Sequence, residues 1–256
     1  MLNIRDSSDT MTSTNDSAVP ASVPRLAVLI DADNTSPAWT EAIFEEVATL
    51  GEASVRRIYG DFSNQQLSGW NKKLENFAVL PHQQFAYTKG KNSSDITLVI
   101  DAMDLLHSGR FEGFVLVSSD SDFTRLASRI REQGLDVFGI GRENTPEAFR
   151  KACKRFIFVE NLLEDDLEDG KAAKAAQSRR KLQPSKAVPL IRAAMRGQDE
   201  EDWIQLSVIG NHIHAANPDF DSRTYGCAKL SDLLEKTGLF EVDRNATPMR
   251  ARAPRT

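Results

Sequence analysis

From Leu26 onward, short apolar runs alternate with stretches whose apolar positions recur at helical spacing, the rhythm of strand–helix units that feed a parallel sheet. The run from Leu26 to Ile30 is continuously aliphatic, as suits a strand covered on both faces. Ser36 and Pro37 then supply an N-cap and a first helical residue, and the helix is expected to reach Leu50, where Gly51 ends it. The same reasoning predicts strands near Ser54–Tyr59, Gln83–Tyr87, Phe114–Ser118, Asp136–Ile140 and Phe156–Val159. Between them it predicts helices near Gln65–Phe77, from Asp95 onward, over Phe123–Gln133 with Gly134 as the cap, and over Pro146–Lys154.

The pattern changes at both ends of this region. Residues 1–23 are rich in Ser, Thr, Asp and Asn with no period, so a disordered leader is expected. An acidic run from Glu164 to Asp169, then a Lys-, Ala- and Arg-rich stretch, reads as a charged linker over 163–184. The expected layout is therefore an α/β domain over 24–162 and a small helical domain over 185–254. In the latter, Lys186–Met195, Ile204–Ile213 and Lys229–Lys236 each carry one apolar stripe, and three such helices must pack together as a helix-turn-helix. Gly238–Val242 follows as a short strand or wing.

The 256 residues carry a formal net charge of -5, with an isoelectric point near 5.5. Bulk charge thus gives no sign of a nucleic-acid binder, and any such contact must come from local basic patches. Two distant cysteines, Cys153 and Cys227, argue against a disulfide framework or a structural zinc site. With no apolar stretch near the roughly 20 residues of a membrane span and no secretory-signal order, a soluble protein of the reducing cytoplasm is expected, with no membrane partner.

Three acidic clusters carry the chemistry. Asp31, Asp33 and Asn34 follow the first aliphatic run; Asp95 opens a helix after Ser94; Asp120 and Asp122 follow Val115–Ser119 and turn directly into a helix. A carboxylate just past a buried parallel strand stands where open α/β sheets bind ligands, and three such groups brought together repel one another unless a cation neutralises them. Hard Mg²⁺ or Mn²⁺ suits carboxylate oxygens and can activate water while neutralising charge on phosphate. The competing use of the same residues is capping: Asp33, Asn34 or Ser36 at one helix, and one of Asp120 and Asp122 at another. Asp101 lies about 240° around its helix from Asp95, so the two cannot both face one ion, and Asp101 is expected to orient a Lys or a ligating group instead. None of the four histidines is placed for catalysis: His82 and His107 stand alone, and His212 and His214 point to different sides of a helix.

Leu-Ile-Asp31-x-x-Asn34, Lys91-x-x-x-Asp95 with Asp101, and Val-Ser-Ser-Asp120-Ser-Asp122-Phe123 together resemble an NYN domain of the PIN-like nuclease superfamily, over roughly Pro24 to Leu162. The resemblance implies a Rossmann-like, PIN-type parallel sheet with flanking helices and an acidic pocket holding Mg²⁺ or Mn²⁺ that hydrolyses RNA. Carried over by position, Asp31, Asp95, Asp120 and Asp122 match the catalytic, metal-binding acids, and Asn34 and Asp101 match accessory positions. Asp33 falls where that family varies, and Ser118 joins the accessory set. Leu206-Ser207-x-x-Gly210, Phe220-Asp221, Tyr225-Gly226, Leu230-x-x-Leu233-Leu234 and Phe240-x-Val242 are similar to the LOTUS (OST-HTH) module, a small winged-helix type that implies RNA or protein binding. Acidic and basic residues balance from Lys186 to Thr256, so charge does not choose between those partners.

Among basic residues expected near the rim, including Arg57, Arg142, Arg150 and Arg155, Lys89 and Lys91 are singled out for RNA because they share a Gly-containing loop beside Asp95. Trp70, Phe85 and Tyr87 are interleaved with them. Two other functions stay open. One is a non-catalytic RNA-binding or scaffold protein with a vestigial acidic pocket. The other is a haloacid-dehalogenase-like phosphatase in which Asp31 is the nucleophile, although that family wants a Lys before its last acidic motif and leaves Asp95 without a role.

Overall fold

The computed structural model describes residues 23–63, 65–84, 93–163, 181–196 and 203–253. The expected leader up to residue 22 and most of the expected linker lie outside them, as do Phe85, Tyr87, Lys89 and Lys91.

The first region alternates strands and helices: β1 (Arg25–Asp31), α1 (Thr40–Leu50), β2 (Glu52–Gly60), α2 (Asn71–Asn76), β3 (Leu80–Gln83), α3 (Ser93–His107), β4 (Gly113–Val117), α4 (Thr124–Glu132), β5 (Asp136–Gly141), α5 (Glu147–Ala152), β6 (Arg155–Phe158) and α6 (Val159–Leu162). Ser36 caps the turn that enters α1, its hydroxyl accepting from the Ala38 N–H, with Pro37 in the first position as expected. The strands form one parallel sheet in the order β3-β2-β1-β4-β5-β6. Because side chains alternate across a strand, Ala27 and Leu29 of β1 enter a core with Leu98, Ala102 and Leu105 of α3 and Leu126 of α4. Leu26, Val28 and Ile30 enter the opposite core with Ile43 and Val47 of α1. Both faces are covered, which is why β1 is apolar from Leu26 to Ile30 and β4 throughout.

The third strand starts earlier than expected: it is Leu80–Gln83, meeting the expected Gln83–Tyr87 at Gln83, while residues 85–87 lie outside the described residues, and it contains Pro81. Proline removes a ladder donor and is tolerated here because β3 is the sheet edge.

The second region contains α7 (Val188–Met195), β7 (Ile204–Gln205), α8 (Leu206–Ala216), α9 (Leu230–Thr237), β8 (Glu241–Asp243) and β9 (Arg250–Arg252). The three helices enclose Ile191, Ile209, Ile213, Leu233 and Leu234 as foreseen. Gly238 ends α9 with φ 70°, a left-handed cap that favours glycine. The strands were only partly foreseen. Ile204 and Gln205, expected to be helical, pair with β9, and β8 joins them in an antiparallel sheet of order β7-β9-β8 that forms the wing.

The two regions meet through polar groups. The Phe156 N–H of edge strand β6 donates to Pro218 O (2.8 Å), and Asn161 Nδ2 donates to Thr224 Oγ1 (3.1 Å). Arg150 pairs with Asp219. Buried Glu46 of α1 accepts from Arg223 (2.9 Å), which also holds buried Asp221 (2.7 Å), while Arg155 stands 3.5 Å from Glu46. Among the described residues no helix is long and apolar enough to cross a membrane.

Candidate functional site

In a sheet ordered β3-β2-β1-β4-β5-β6 the direction of winding reverses between β1 and β4, and the crevice beyond their carboxyl ends is the place such folds offer a ligand. Asp31 closes β1, and Ser118, Ser119 and Asp120 follow β4 directly. Fold topology alone therefore brings the first and third acidic clusters to one point.

Asp31 is buried to 1% exposure. Its Oδ1 accepts the Asp33 N–H (3.1 Å), and its Oδ2 accepts Asn34 Nδ2 (2.7 Å) and Ser118 Oγ (2.8 Å). Burial raises its pKa, while the bonds from Ser118 and Asn34 act in the opposite direction. Ser118 Oγ also accepts the Asp120 N–H (3.0 Å), so one buried hydroxyl fixes both acids. Asp120 caps the turn Ser121–Phe123, its Oδ1 accepting the Asp122 N–H (2.9 Å), and Asp122 lies exposed in the first turn. Capping thus accounts for one oxygen of Asp120 and leaves Oδ2 without a partner among the described residues.

Asp95, in the first turn of α3, completes the group. Burial first, and then the charges of Asp31, Asp120, Asp33 and Asp122, push its pKa up to about 6. The other four carboxylates are therefore near enough to Asp95 to oppose its ionisation. Asp33 is exposed, and its Oδ2 accepts from Ser94 Oγ (3.3 Å), which ties the β1 loop to the start of α3.

Asp101 serves elsewhere. It accepts from Arg57 and from Tyr59 Oη, which ties α3 to β2; the group it orients is neither a Lys nor one of the clustered acids. Burial, reinforced by the Asp101 charge, raises the Tyr59 pKa well above the ordinary phenol range.

Most other rim candidates have structural partners. Arg57 pairs with Asp101, Arg150 with Asp219, and Arg155 stands 3.5 Å from Glu46. Trp70 is fully buried core. Sequence reasoning passed over Trp39, whose ring lies under the Arg142 guanidinium at 4.9 Å. The two residues are 103 positions apart, so only the fold could reveal the pair.

The oxygen-only donor set suits a hard divalent cation. Asp31 makes three hydrogen bonds against about four lone-pair sites on a carboxylate, which leaves room on Oδ1. As the side chains lie, no three His, Cys, Asp or Glu among the described residues are arranged to hold an ion.

A six-stranded parallel sheet with acids gathered at its switch point defines the PIN-like α/β class. The NYN domain family matches residues 25–163, and the chain belongs to that family. The OST-HTH/LOTUS domain matches residues 181–250. The NYN domain points to a nuclease-type hydrolase, a class that typically uses divalent metals, and the OST-HTH domain suggests RNA binding. No curated protein matches the chain. Among solved structures, a crystal structure of a protein of unknown function from Vibrio parahaemolyticus is similar at 19% identity, covering 54% of this chain and 94% of that one, with a TM-score of 0.44.

Proposed function

We propose that the chain is a metal-dependent ribonuclease, with 24–162 as the cutting domain, 163–184 as a linker and 185–254 as a module that brings RNA, or a protein partner, to it. The observation that carries this reading is that Asp31 and Asp120, from two other segments, stand near enough to Asp95 for their charges to raise its pKa. Such a cluster opposes folding and is explained by a cation it is built to meet.

Asp31, Asp95, Asp120 and Asp122 would hold Mg²⁺ or Mn²⁺. When bound, such a metal activates water and neutralises charge on the phosphodiester. Ser118 and Asn34 hold the Asp31 carboxylate in one orientation, and Ser118 sets the backbone of Asp120 at the same time. Asp33 fixes the first turn of α3 through Ser94, and Asp101 fixes the same helix from its middle. In the second domain, the Trp203 ring lies under Arg250 (5.0 Å) and Arg252 (4.6 Å), which are ion-paired to Asp243 and Glu241. Lys89 and Lys91 keep their proposed RNA role on sequence grounds.

The test is cleavage of single-stranded and structured RNA with Mg²⁺ or Mn²⁺. Asp31→Asn and Asp120→Asn are expected to lower the rate about 10²–10³-fold or more. Equal activity in both variants and wild type would refute the proposal in favour of a scaffold, whereas acyl-phosphate trapped on Asp31 would restore the phosphatase reading.

A further inference from the structure

Beside the acids lies a cavity of about 260 Å³ lined by Asp33, Asn34, Ser119, Arg142 and Asn144. Its walls are the loops after β1, β4 and β5, and they adjoin the clustered acids: Asn34 donates to Asp31, and Ser119 precedes Asp120. The β5 loop reaches this position because Gly141 has no side chain. A Cβ there would come within 2.5 Å of Ser118 O. Two bonds then pin the loop: the Arg142 N–H donates to Ser119 Oγ (2.9 Å), and the Thr145 N–H donates to Arg142 O (3.0 Å).

The Arg142 side chain differs from those of six other described arginines. Arg25, Arg57, Arg150, Arg223, Arg244 and Arg252 each hold a carboxylate. No carboxylate stands within ion-pair distance of Arg142 among the described residues, although Asp33 lines the same cavity. Its guanidinium instead lies over the half-buried Trp39 ring, which preorganises the charge and leaves its donor fork available. The cavity lining holds one carboxylate, Asp33, and one guanidinium, Arg142, and of these only the guanidinium attracts an anion.

We infer that Arg142, held on Trp39, binds a phosphodiester of a single RNA strand next to the one presented to the acids, with Asn144 and Ser119 as supporting polar groups. A guanidinium fork matches two phosphate oxygens, and a phosphate chain is the polyanion whose next link falls beside a crevice that handles the first. The inference rests on the nuclease reading for the identity of its ligand, and Arg142 acts here in binding rather than in bond cleavage.

The experiment uses the full chain, a short oligouridylate and Mn²⁺, comparing wild type with Arg142→Gln and Arg142→Lys. Arg142 is exposed, so both variants retain the core. Arg142→Gln is expected to raise KM about tenfold while changing kcat much less, because a contact outside the reacting group is lost equally from ground and transition states. The slope of log affinity against log salt should fall by about 0.7, one single-strand phosphate contact. Arg142→Lys should keep the slope but recover only part of the affinity, since it retains charge without the fork. Unchanged KM and salt slope in Arg142→Gln would overturn the subsite even with cleavage intact. If wild type does not cleave, the nuclease reading falls, and oligouridylate binding decides this proposal by the same slope.

Discussion

The crevice between β1 and β4 and the seam around Glu46 are built from the same ingredient, carboxylates removed from water, and treat it in opposite ways. At the seam, Glu46 and Asp221 are compensated by Arg223, with Arg155 close by. Burial opposes the charge of Arg223, but Asp221 and Glu46 outweigh it and raise its pKa. At the crevice, Asp31 is as deeply buried, yet its partners are a hydroxyl, an amide and a backbone N–H, and its charged neighbours are other aspartates. A fold that can bring arginine to one buried acid and withholds it from another marks the second as a place for an outside cation.

The largest expected effect comes from breaking the compensated side. Arg223→Met leaves Glu46 and Asp221 buried with only Arg155 near, and should cost about 3 kcal/mol. Urea unfolding of the full chain would report it. A loss under about 1 kcal/mol would place the seam with ordinary surface pairs.

Next is the shared hydroxyl at the crevice. Ser118→Ala removes the bond to Asp31 Oδ2 and the acceptor for the Asp120 N–H together, and should lower Mn²⁺ affinity about 10–100-fold. Isothermal titration would measure it, and unchanged affinity would show that the acids are positioned without it.

The smallest effect has the opposite sign. Because the Asp95 pKa is pushed up to about 6, the folded protein keeps a proton that the unfolded chain has released between about pH 4 and 6. Stability therefore falls as pH rises through that window. Without divalent metal, Asp95→Asn should raise stability by about 1 kcal/mol above pH 6, a figure discounted for a half-buried group, and change little at pH 4. Thermal melts at the two pH values, with chelator present, would check this. Destabilisation above pH 6 would mean that the repulsion is already relieved.

Much of this was legible in the sequence because it is encoded locally. Aliphatic runs locate β1, β4 and β5, and a carboxylate after such a run must sit at a sheet end. The convergence on Asp95 came from motif resemblance, since nothing local says which loop its helix faces. The start of β3 at Leu80 was missed because an edge strand of four residues containing Pro81 has too little pattern to resolve. β7 and β9 carry two and three residues and depend on pairing within the β7-β9-β8 sheet. Arg223 meets Glu46 across 177 positions, and such contacts leave no period in a chain.

The most direct test of the central claim, that aspartates from three segments form one cation centre, is Mn²⁺ titration of metal-free protein near neutral pH. Wild type should bind, and Asp31→Asn and Asp120→Asn should each weaken binding at least about tenfold. Equal affinity in all three proteins, or no binding by wild type, would contradict the account.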